Sequence, residues 1–116
     1  MPRVKRGVTA RRRRNKVMER ASGFRSSGSR TFTNARQMSD RAMVFAYRDR
    51  KVRKRSFRAL WIQRINAAVR VHGLNYATFM GAYAKSGLQL DRKALSELAI
   101  HDAQAFSQIV QQVMPR

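Results

Sequence analysis

The sequence lacks cysteine, and only 6 of its 116 residues are acidic. Without cysteine the chain contains no disulfide bond, no thiolate metal ligand and no thiol nucleophile. No apolar run approaches the roughly 18 residues that identify a membrane-spanning helix. The shortage of acid leaves 26 Lys and Arg residues and a net charge of +20. Because so large a charge of one sign opposes a compact state, we expect a polyanionic partner.

Nucleic acid is the polyanion that the basic residues favour. Arginine far outnumbers lysine in this chain. The guanidinium group matches phosphate oxygens with two parallel hydrogen bonds and also stacks on bases, whereas an ammonium group is a point charge. An anionic membrane or an acidic protein would satisfy the charge alone. The arginine content therefore predicts binding to nucleic acid.

Groups suited to catalysis are also scarce. The only histidines are His72, on the apolar face of a predicted helix, and His101, next to a predicted helix cap. Asp91 and Asp102 are expected to act as helix caps. The sequence contains no pair of groups for acid–base catalysis, no glycine-rich phosphate loop and no metal-ligand spacing. We therefore predict a protein that is not an enzyme and that needs no metal, cofactor or small-molecule substrate.

The positive charge is concentrated in the first part of the chain. Residues 1–70 contain 22 basic and three acidic residues, for a net charge of +19. Residues 71–116 contain four basic and three acidic residues, for a net charge of +1. The large apolar residues are enriched in this second part. We therefore predict an extension that contacts phosphate, followed by a domain that folds on itself.

The N-terminal segment is predicted to have little structure of its own. Pro2 and the sparse apolar residues favour an irregular start. Thr9 is a candidate N-cap for a short helix over residues 10–21. Gly23, Gly28 and the surrounding serines then interrupt any helix, so order in this stretch is expected to come from a partner. A disordered basic tail and a targeting peptide are the alternatives, since both share this composition.

A second, much longer helix is predicted from Thr33 or Asn34 to His72, because this stretch contains no glycine or proline. Gly73 is the expected residue at its C-terminal end. At about 1.5 Å per residue such a helix is roughly 57 Å long, which is more than the core of so small a protein covers. A thin apolar stripe marks its first half, formed by Ala35, Met38, Ala42, Phe45 and Ala46.

The middle of this helix is basic on all sides. Seven of the eleven residues from 48 to 58 are Lys or Arg, and at about 100° per residue they surround the helix. A helix in a DNA groove or on a membrane needs one charged face and one different face. Charge on all sides instead favours a helix enclosed by folded RNA. A solvated basic helix, a DNA-compacting protein and a membrane-active cationic peptide are the alternatives. The seven residues are Arg48, Arg50, Lys51, Arg53, Lys54, Arg55 and Arg58.

The C-terminal part shows strong helical periodicity, in the end of the long helix and in three short helices. Gly87, Asp91 and Asp102 separate the short helices. The predicted fold is all-α, with a long basic N-terminal helical extension over residues 1–56 and a small C-terminal helical globular domain over residues 57–116. The residues predicted on its apolar faces are Phe57, Leu60, Trp61, Ile65, Ala68, Val69, His72, Tyr76, Phe79, Met80, Tyr83, Leu95, Leu98, Ala99, Phe106, Ile109, Val110 and Val113.

Several segments resemble one known family. The stretch YRDRKVRKRSFRALWIQRINA over residues 47–67 is similar to the most characteristic segment of bacterial-type large-subunit ribosomal protein L20. The segments RVKRGVTARRRRNK near the start, GLNYATFM over 73–80 and LDRKALSELAIHD over 90–102 resemble the same family. The resemblance covers essentially the whole chain, which makes it far more specific than one short motif. Because residues 3–16 resemble mature members, we do not expect them to be a targeting peptide.

The resemblance implies a function and a set of partners. Members of the L20 family are structural constituents of the large ribosomal subunit that bind its RNA early in assembly, and some repress translation of their own messenger RNA. The implied partners are large-subunit ribosomal RNA and neighbouring ribosomal proteins such as the L21 family, with no membrane. The implied location is the ribosome of a bacterium, a mitochondrion or a chloroplast. The residues expected to contact RNA are Arg3, Lys5, Arg6, Arg11, Arg12, Arg13, Arg14, Lys16, Arg25, Arg30, Arg36, Arg48, Arg50, Lys51, Arg53, Lys54, Arg55, Arg58, Arg64 and Arg70.

Overall fold

A computed structural model describes residues 3–115, and all regular structure within this range is helical. Four short helices accompany one helix of 40 residues. The predicted all-α class, with a long helix followed by smaller ones, is therefore confirmed. Pro2 lies outside the described residues. The elements are α1 (Gly7–Arg20), a 3₁₀ turn (Ser26–Gly28), α2 (Phe32–Val71), α3 (Tyr76–Lys85), α4 (Arg92–His101) and α5 (Ala103–Val113).

Contacts within the chain divide it into two compact units, and the division falls inside α2, between Lys51 and Val52. The part before the division is called the N-terminal unit here, and the part after it the C-terminal unit. The N-terminal unit contains α1, the 3₁₀ turn and the first half of α2, and the C-terminal unit contains the second half of α2 with α3, α4 and α5. The sequence predicted a boundary after residue 56, between the extension and the globular domain. That boundary stays a prediction.

Helix α1 begins earlier than the sequence suggested. Its first residue is Gly7, and the Ala10 N–H donates to the Arg6 carbonyl at 3.1 Å. Thr9 therefore lies in the first turn, and its assignment as the N-cap was wrong. Arg6 occupies the cap position without a side-chain hydrogen bond. The helix starts two residues before Thr9, so the N-cap preference of threonine did not set its first residue.

The glycine- and serine-rich stretch after α1 forms a turn with hydrogen bonds of its own. The Ser27 carbonyl accepts from both the amide and the hydroxyl of Thr31, each at 3.0 Å. The Asn34 side chain donates to the Ser27 hydroxyl at 2.9 Å, which joins the turn to the start of α2. Ser26 has a φ of 57°, a conformation more usual for glycine. The glycines and serines predicted an interruption of the helix here, but they did not predict these internal contacts.

Small residues form the buried part of the N-terminal unit. Ala21 and Ala35 are fully buried, and Ser39 is only 3% exposed. Gly28 is also buried, and a Cβ atom at this position would overlap the sulfur of Met38 unless that flexible side chain moved. The turn and α2 thus approach closely because the residues between them are small.

Helix α2 runs from Phe32 to Val71, within two residues of the predicted limits at both ends. Its end is a Schellman motif, since the Leu74 N–H donates to the Val69 carbonyl and the Gly73 N–H to the Arg70 carbonyl. Gly73 has a φ of 75°, the left-handed conformation that this motif requires. The predicted role of Gly73 is confirmed.

The C-terminal unit encloses the hydrophobic core. Helix α5 packs against α3 and α4, and the Phe79 ring lies 5.9 Å from the rings of Tyr83 and Phe106. Phe57 was wrongly assigned to the core, since it is 45% exposed, and Trp61 is half-buried and lies outside the core cluster. The other predicted faces are largely confirmed. The buried apolar residues of this core are Ile65, Val69, Phe79, Tyr83, Leu95, Phe106, Val110 and Val113.

Polar side chains cap the first turns of α3, α4 and α5. Asp91 accepts from the Ala94 amide at 2.7 Å, and Asp102 accepts from the Ala105 amide at 2.8 Å, so both predicted caps are confirmed. Asn75 caps α3 by accepting from the Thr78 amide at 2.8 Å. Each cap accepts a hydrogen bond from a backbone amide that has no partner within its helix. Such a cap typically contributes about 1 kcal/mol to the free energy of unfolding.

The hydroxyl of Tyr83 joins α3 to the loop before α4. It accepts a hydrogen bond from the Leu90 amide at 2.8 Å and donates one to the Leu90 carbonyl at 3.0 Å. One side chain in the core thereby satisfies both backbone groups of a loop residue.

The Tyr83→Phe substitution should lower the free energy of unfolding by about 1–2 kcal/mol, because two hydrogen bonds are lost and the ring stays in place. Urea unfolding of the full chain, followed by Trp61 fluorescence, measures the change. Tyr47→Phe is the matched control, since the Tyr47 side chain is 61% exposed and its substitution should change stability by less than about 0.5 kcal/mol. Equal effects of the two substitutions would contradict the assigned role of Tyr83.

Candidate nucleic-acid interface

The side chains predicted to contact RNA are almost all accessible. Nineteen of the twenty are exposed, and Arg64 is half-buried. Three of them precede α1, five lie on it, two flank the 3₁₀ turn, and ten lie on α2, with the largest group in its middle. Each of these cations is therefore available to an anionic partner, although exposure alone does not identify the partner.

The middle of α2 has no buried side. All twenty residues from Asp40 to Ala59 are exposed, which corresponds to more than five helical turns. The seven cations between Arg48 and Arg58 belong to this stretch, so they point outward around the whole circumference. A surface helix of a globular protein normally covers a core with one apolar stripe. This part of α2 instead presents its entire circumference to its surroundings.

Compensating acid is scarce around these cations. Among the described residues a single ion pair is formed, in which a guanidinium nitrogen of Arg48 lies 2.8 Å from a carboxylate oxygen of Asp49. Both side chains are more than half exposed, so water screens their attraction. The remaining basic side chains of α2 keep their charge available for an external anion.

Exposed aromatic rings alternate with the cations, and they were not among the residues predicted to contact RNA. The Arg48 guanidinium lies 4.5 Å from the centre of the Phe45 ring, and the Lys51 ammonium lies 3.5 Å from that of Tyr47. Each pair is three or four residues apart, so both members lie on one helix face. That spacing could have been recognised in the sequence. Further pairs are Arg14 with Phe32, Arg41 with Phe45 and Arg53 with Phe57.

A cationic groove lies between α1 and the start of α2. Its volume is about 450 Å³. It brings together four predicted residues from distant parts of the sequence and adds Arg20, which the prediction omitted. Five positive side chains around one concavity attract an anion such as a backbone phosphate. The lining consists of Ala10, Arg13, Arg14, Lys16, Val17, Arg20, Phe32 and Arg36.

An apolar groove lies between the turn after α1 and the first half of α2. It is open to solvent and has a volume of about 580 Å³. Its lining includes Arg41, a second basic residue that the prediction omitted. The thin apolar stripe predicted on α2 forms one wall, while Ala35 of the same stripe is buried. The lining consists of Gly23, Phe24, Arg25, Gln37, Met38, Arg41, Ala42 and Phe45.

The two histidines are the other residues that the sequence offered for chemistry. His72 Nε2 and the Ser107 hydroxyl are 3.3 Å apart, within hydrogen-bond distance, and His101 is exposed in the last turn of α4. Over residues 3–115, no three side chains of His, Cys, Asp or Glu come together as a metal site requires. None of the helices described combines the length and the apolar character needed to cross a membrane.

Comparison with known proteins gives one consistent result. The family model described as ribosomal protein L20 matches residues 3–109. Proteins named large ribosomal subunit protein bL20 from Brucella ovis, Brucella canis and Brucella melitensis are each 56% identical to this chain over 110 residues. The matches cover 95% of this chain and 82% of each relative. The resemblance seen in the sequence is thereby confirmed, and the chain belongs to the ribosomal protein L20 family.

Proposed function

We propose that this chain is a structural constituent of the large ribosomal subunit and that it binds large-subunit ribosomal RNA. The observation that carries the proposal is the middle of α2, which is exposed on all sides and basic around its circumference. Folded RNA supplies phosphates from several directions at once, whereas a DNA duplex or a membrane supplies them from one side. Membership of a family of large-subunit ribosomal proteins supports the same partner.

Phosphate contacts supply most of the affinity in this proposal. Each Lys or Arg that neutralises a phosphate releases condensed counterions, so binding weakens steeply as salt is raised. The contacts are made by the twenty predicted residues, together with Arg20 and Arg41 in the two grooves. Specificity comes from the fit between the protein and the shape of the folded RNA, because RNA helices are recognised mainly by shape.

The extension over residues 1–56 is proposed to gain much of its order from RNA. Like charges four residues apart, such as Arg50 and Lys54, oppose helix formation in water. Phosphates placed between them remove that repulsion. The globular domain over residues 57–116 has its own core and is proposed to fold without RNA.

Early binding would let the extension guide the folding of ribosomal RNA during subunit assembly. Residues 71–116 are nearly neutral, so RNA phosphates attract them only weakly. We propose that they contact a protein neighbour of the L21 family. Repression of translation of the chain's own messenger RNA follows if that messenger presents a similar RNA shape. The bacterial relatives favour a bacterial ribosome over an organellar one.

The rival function is compaction of DNA, since a basic extension with a helical domain also suits that role. It predicts tight binding to any duplex. The two functions therefore differ in which competitor releases the chain from ribosomal RNA.

We expect the complex with labelled large-subunit ribosomal RNA to survive excess transfer RNA and excess duplex DNA at physiological salt. A filter-binding or gel-shift competition measures the fraction that remains, and unlabelled ribosomal RNA is the positive control. The logarithm of the binding constant should fall with the logarithm of salt with a slope of roughly −0.7 to −0.9 per phosphate contact. Displacement by duplex DNA as readily as by ribosomal RNA would favour the rival function.

Reversing four charges of the ring should abolish specific RNA binding while the C-terminal unit stays folded. The variant carries Arg50→Glu, Lys51→Glu, Lys54→Glu and Arg55→Glu, four exposed positions outside the core cluster. The change removes four phosphate contacts and adds four negative charges facing the RNA. Equilibrium binding to ribosomal RNA measures the loss, and the fluorescence of Trp61 reports on folding.

A matched pair of double variants separates position from total charge. Lys54→Glu with Arg55→Glu and Lys85→Glu with Lys93→Glu change the net charge equally, and all four side chains are exposed. The first pair should weaken binding far more than the second and should reduce the salt slope by about one per lost contact. Equal losses would mean that net charge, and not the ring, determines binding.

A further inference from the structure

The apolar groove of the N-terminal unit has walls that are held in place by backbone and side-chain contacts. The Phe24 amide donates to the Ala21 carbonyl at 3.0 Å, next to Gly23, whose φ is 85°. On the opposite wall, the sulfur of Met38 lies where a side chain at position 28 would be. Phe24 is half-buried, and Phe45 is 39% exposed. Two aromatic rings and a thioether are thus positioned around an open space.

The charged residues that line this groove are all positive. Arg25 lies on the side of the turn, and Arg41 lies on the side of α2. Arg41 and Arg48 both lie over the Phe45 ring, at 5.5 Å and 4.5 Å from its centre. The groove therefore combines an apolar interior with a positive rim.

An occupant must match both properties. A phosphate group alone suits the rim but gains nothing from the two rings and the thioether. The cationic groove between α1 and α2, with five basic residues in its lining, suits a phosphate better. An apolar protein segment suits the interior but would leave the arginines without a counter-charge. A nucleotide has a flat base of low polarity attached to a negative phosphate, and it suits both.

We propose that the apolar groove receives one unstacked base of the RNA, with the flanking phosphates bound by Arg25 and Arg41. The base packs against Phe24, Met38 and Phe45. The side-chain amide of Gln37, which also lines the groove, is available to the edge of the base. A volume of about 580 Å³ lies within the range of about 300–1,000 Å³ that small-molecule sites occupy. This inference rests on the proposed binding of RNA and adds a single-nucleotide site to it.

The two grooves then contribute differently to recognition. The cationic groove holds backbone phosphate, so its effect on binding depends strongly on salt. The apolar groove holds a base through stacking and dispersion, so its effect depends little on salt. This difference separates the two contributions in one experiment.

Phe45→Leu should weaken binding of the full chain to large-subunit ribosomal RNA by about ten-fold, the scale of one lost base–aromatic stack. The salt slope should stay unchanged, because no phosphate contact is lost. Phe45→Tyr should weaken binding less than Phe45→Leu does, because the aromatic ring is retained. If an apolar protein side chain were the true occupant, Leu would serve as well as Phe, and Phe45→Leu would leave RNA affinity unchanged. That result would overturn the proposal.

Two further variants make the test specific to the groove. Tyr47→Leu removes an exposed aromatic ring from the same helix outside the groove lining and should cost less than Phe45→Leu. Ala42→Leu adds bulk to the groove without removing a ring, and it should weaken binding as Phe45→Leu does. Circular dichroism checks that each variant keeps its helix content. An equal loss from Tyr47→Leu, or full binding by Ala42→Leu, would contradict the assigned site.

Ultraviolet crosslinking of the natural chain to the same RNA provides an independent readout. We expect one nucleotide to crosslink to a peptide that contains Phe24, Met38 or Phe45, with loss of this crosslink in Ala42→Leu. Crosslinks confined to other peptides would overturn the proposal while leaving RNA binding intact. If the natural chain fails to bind ribosomal RNA specifically, the proposed function itself fails, and the two failures are distinguishable.

Discussion

Repulsion between closely spaced cations on α2 is the constraint on which the rest of this structure depends. The helix is continuous from Phe32 to Val71, yet the twenty residues from Asp40 to Ala59 cover no core. Hydrophobic burial, the usual source of helix stability in proteins, therefore contributes little in this stretch. The local ion pair between Arg48 and Asp49 offsets little of the repulsion. Cation–π contacts such as that of Lys51 with Tyr47 add local stability, and in the proposed function RNA phosphates neutralise the remaining repulsion.

The C-terminal unit, unlike the middle of α2, encloses a core, and it builds this core from few residues. Its core depends on a small set of aromatic and aliphatic side chains around Phe79 and Phe106. Three capped helix starts and the Tyr83 hydroxyl add local hydrogen bonds where a larger domain would rely on more buried area. The last turns of α2 belong to this core through Ile65 and Val69. One helix thus covers a core with one face in its last turns and is exposed on all sides in its middle.

The features that the sequence predicted well are those with local causes. The end of α2 at Gly73 and the caps at Asp91 and Asp102 depend on residues a few positions apart. Exposure of the basic residues followed from their number. Phe57 was misassigned because its helical spacing continues that of the core, and periodicity alone does not show where a core ends. The two grooves required tertiary information, since their walls come from α1, the turn and α2.

The close approach of Gly28 to Met38 links two positions that are ten residues apart in the sequence. A side chain at position 28 would push the Met38 thioether aside, and the neighbouring free space is the apolar groove. A mutation at one position would therefore alter the shape of the groove unless the other changed as well. Across the family, these two positions should covary, with larger residues at one accompanied by smaller residues at the other.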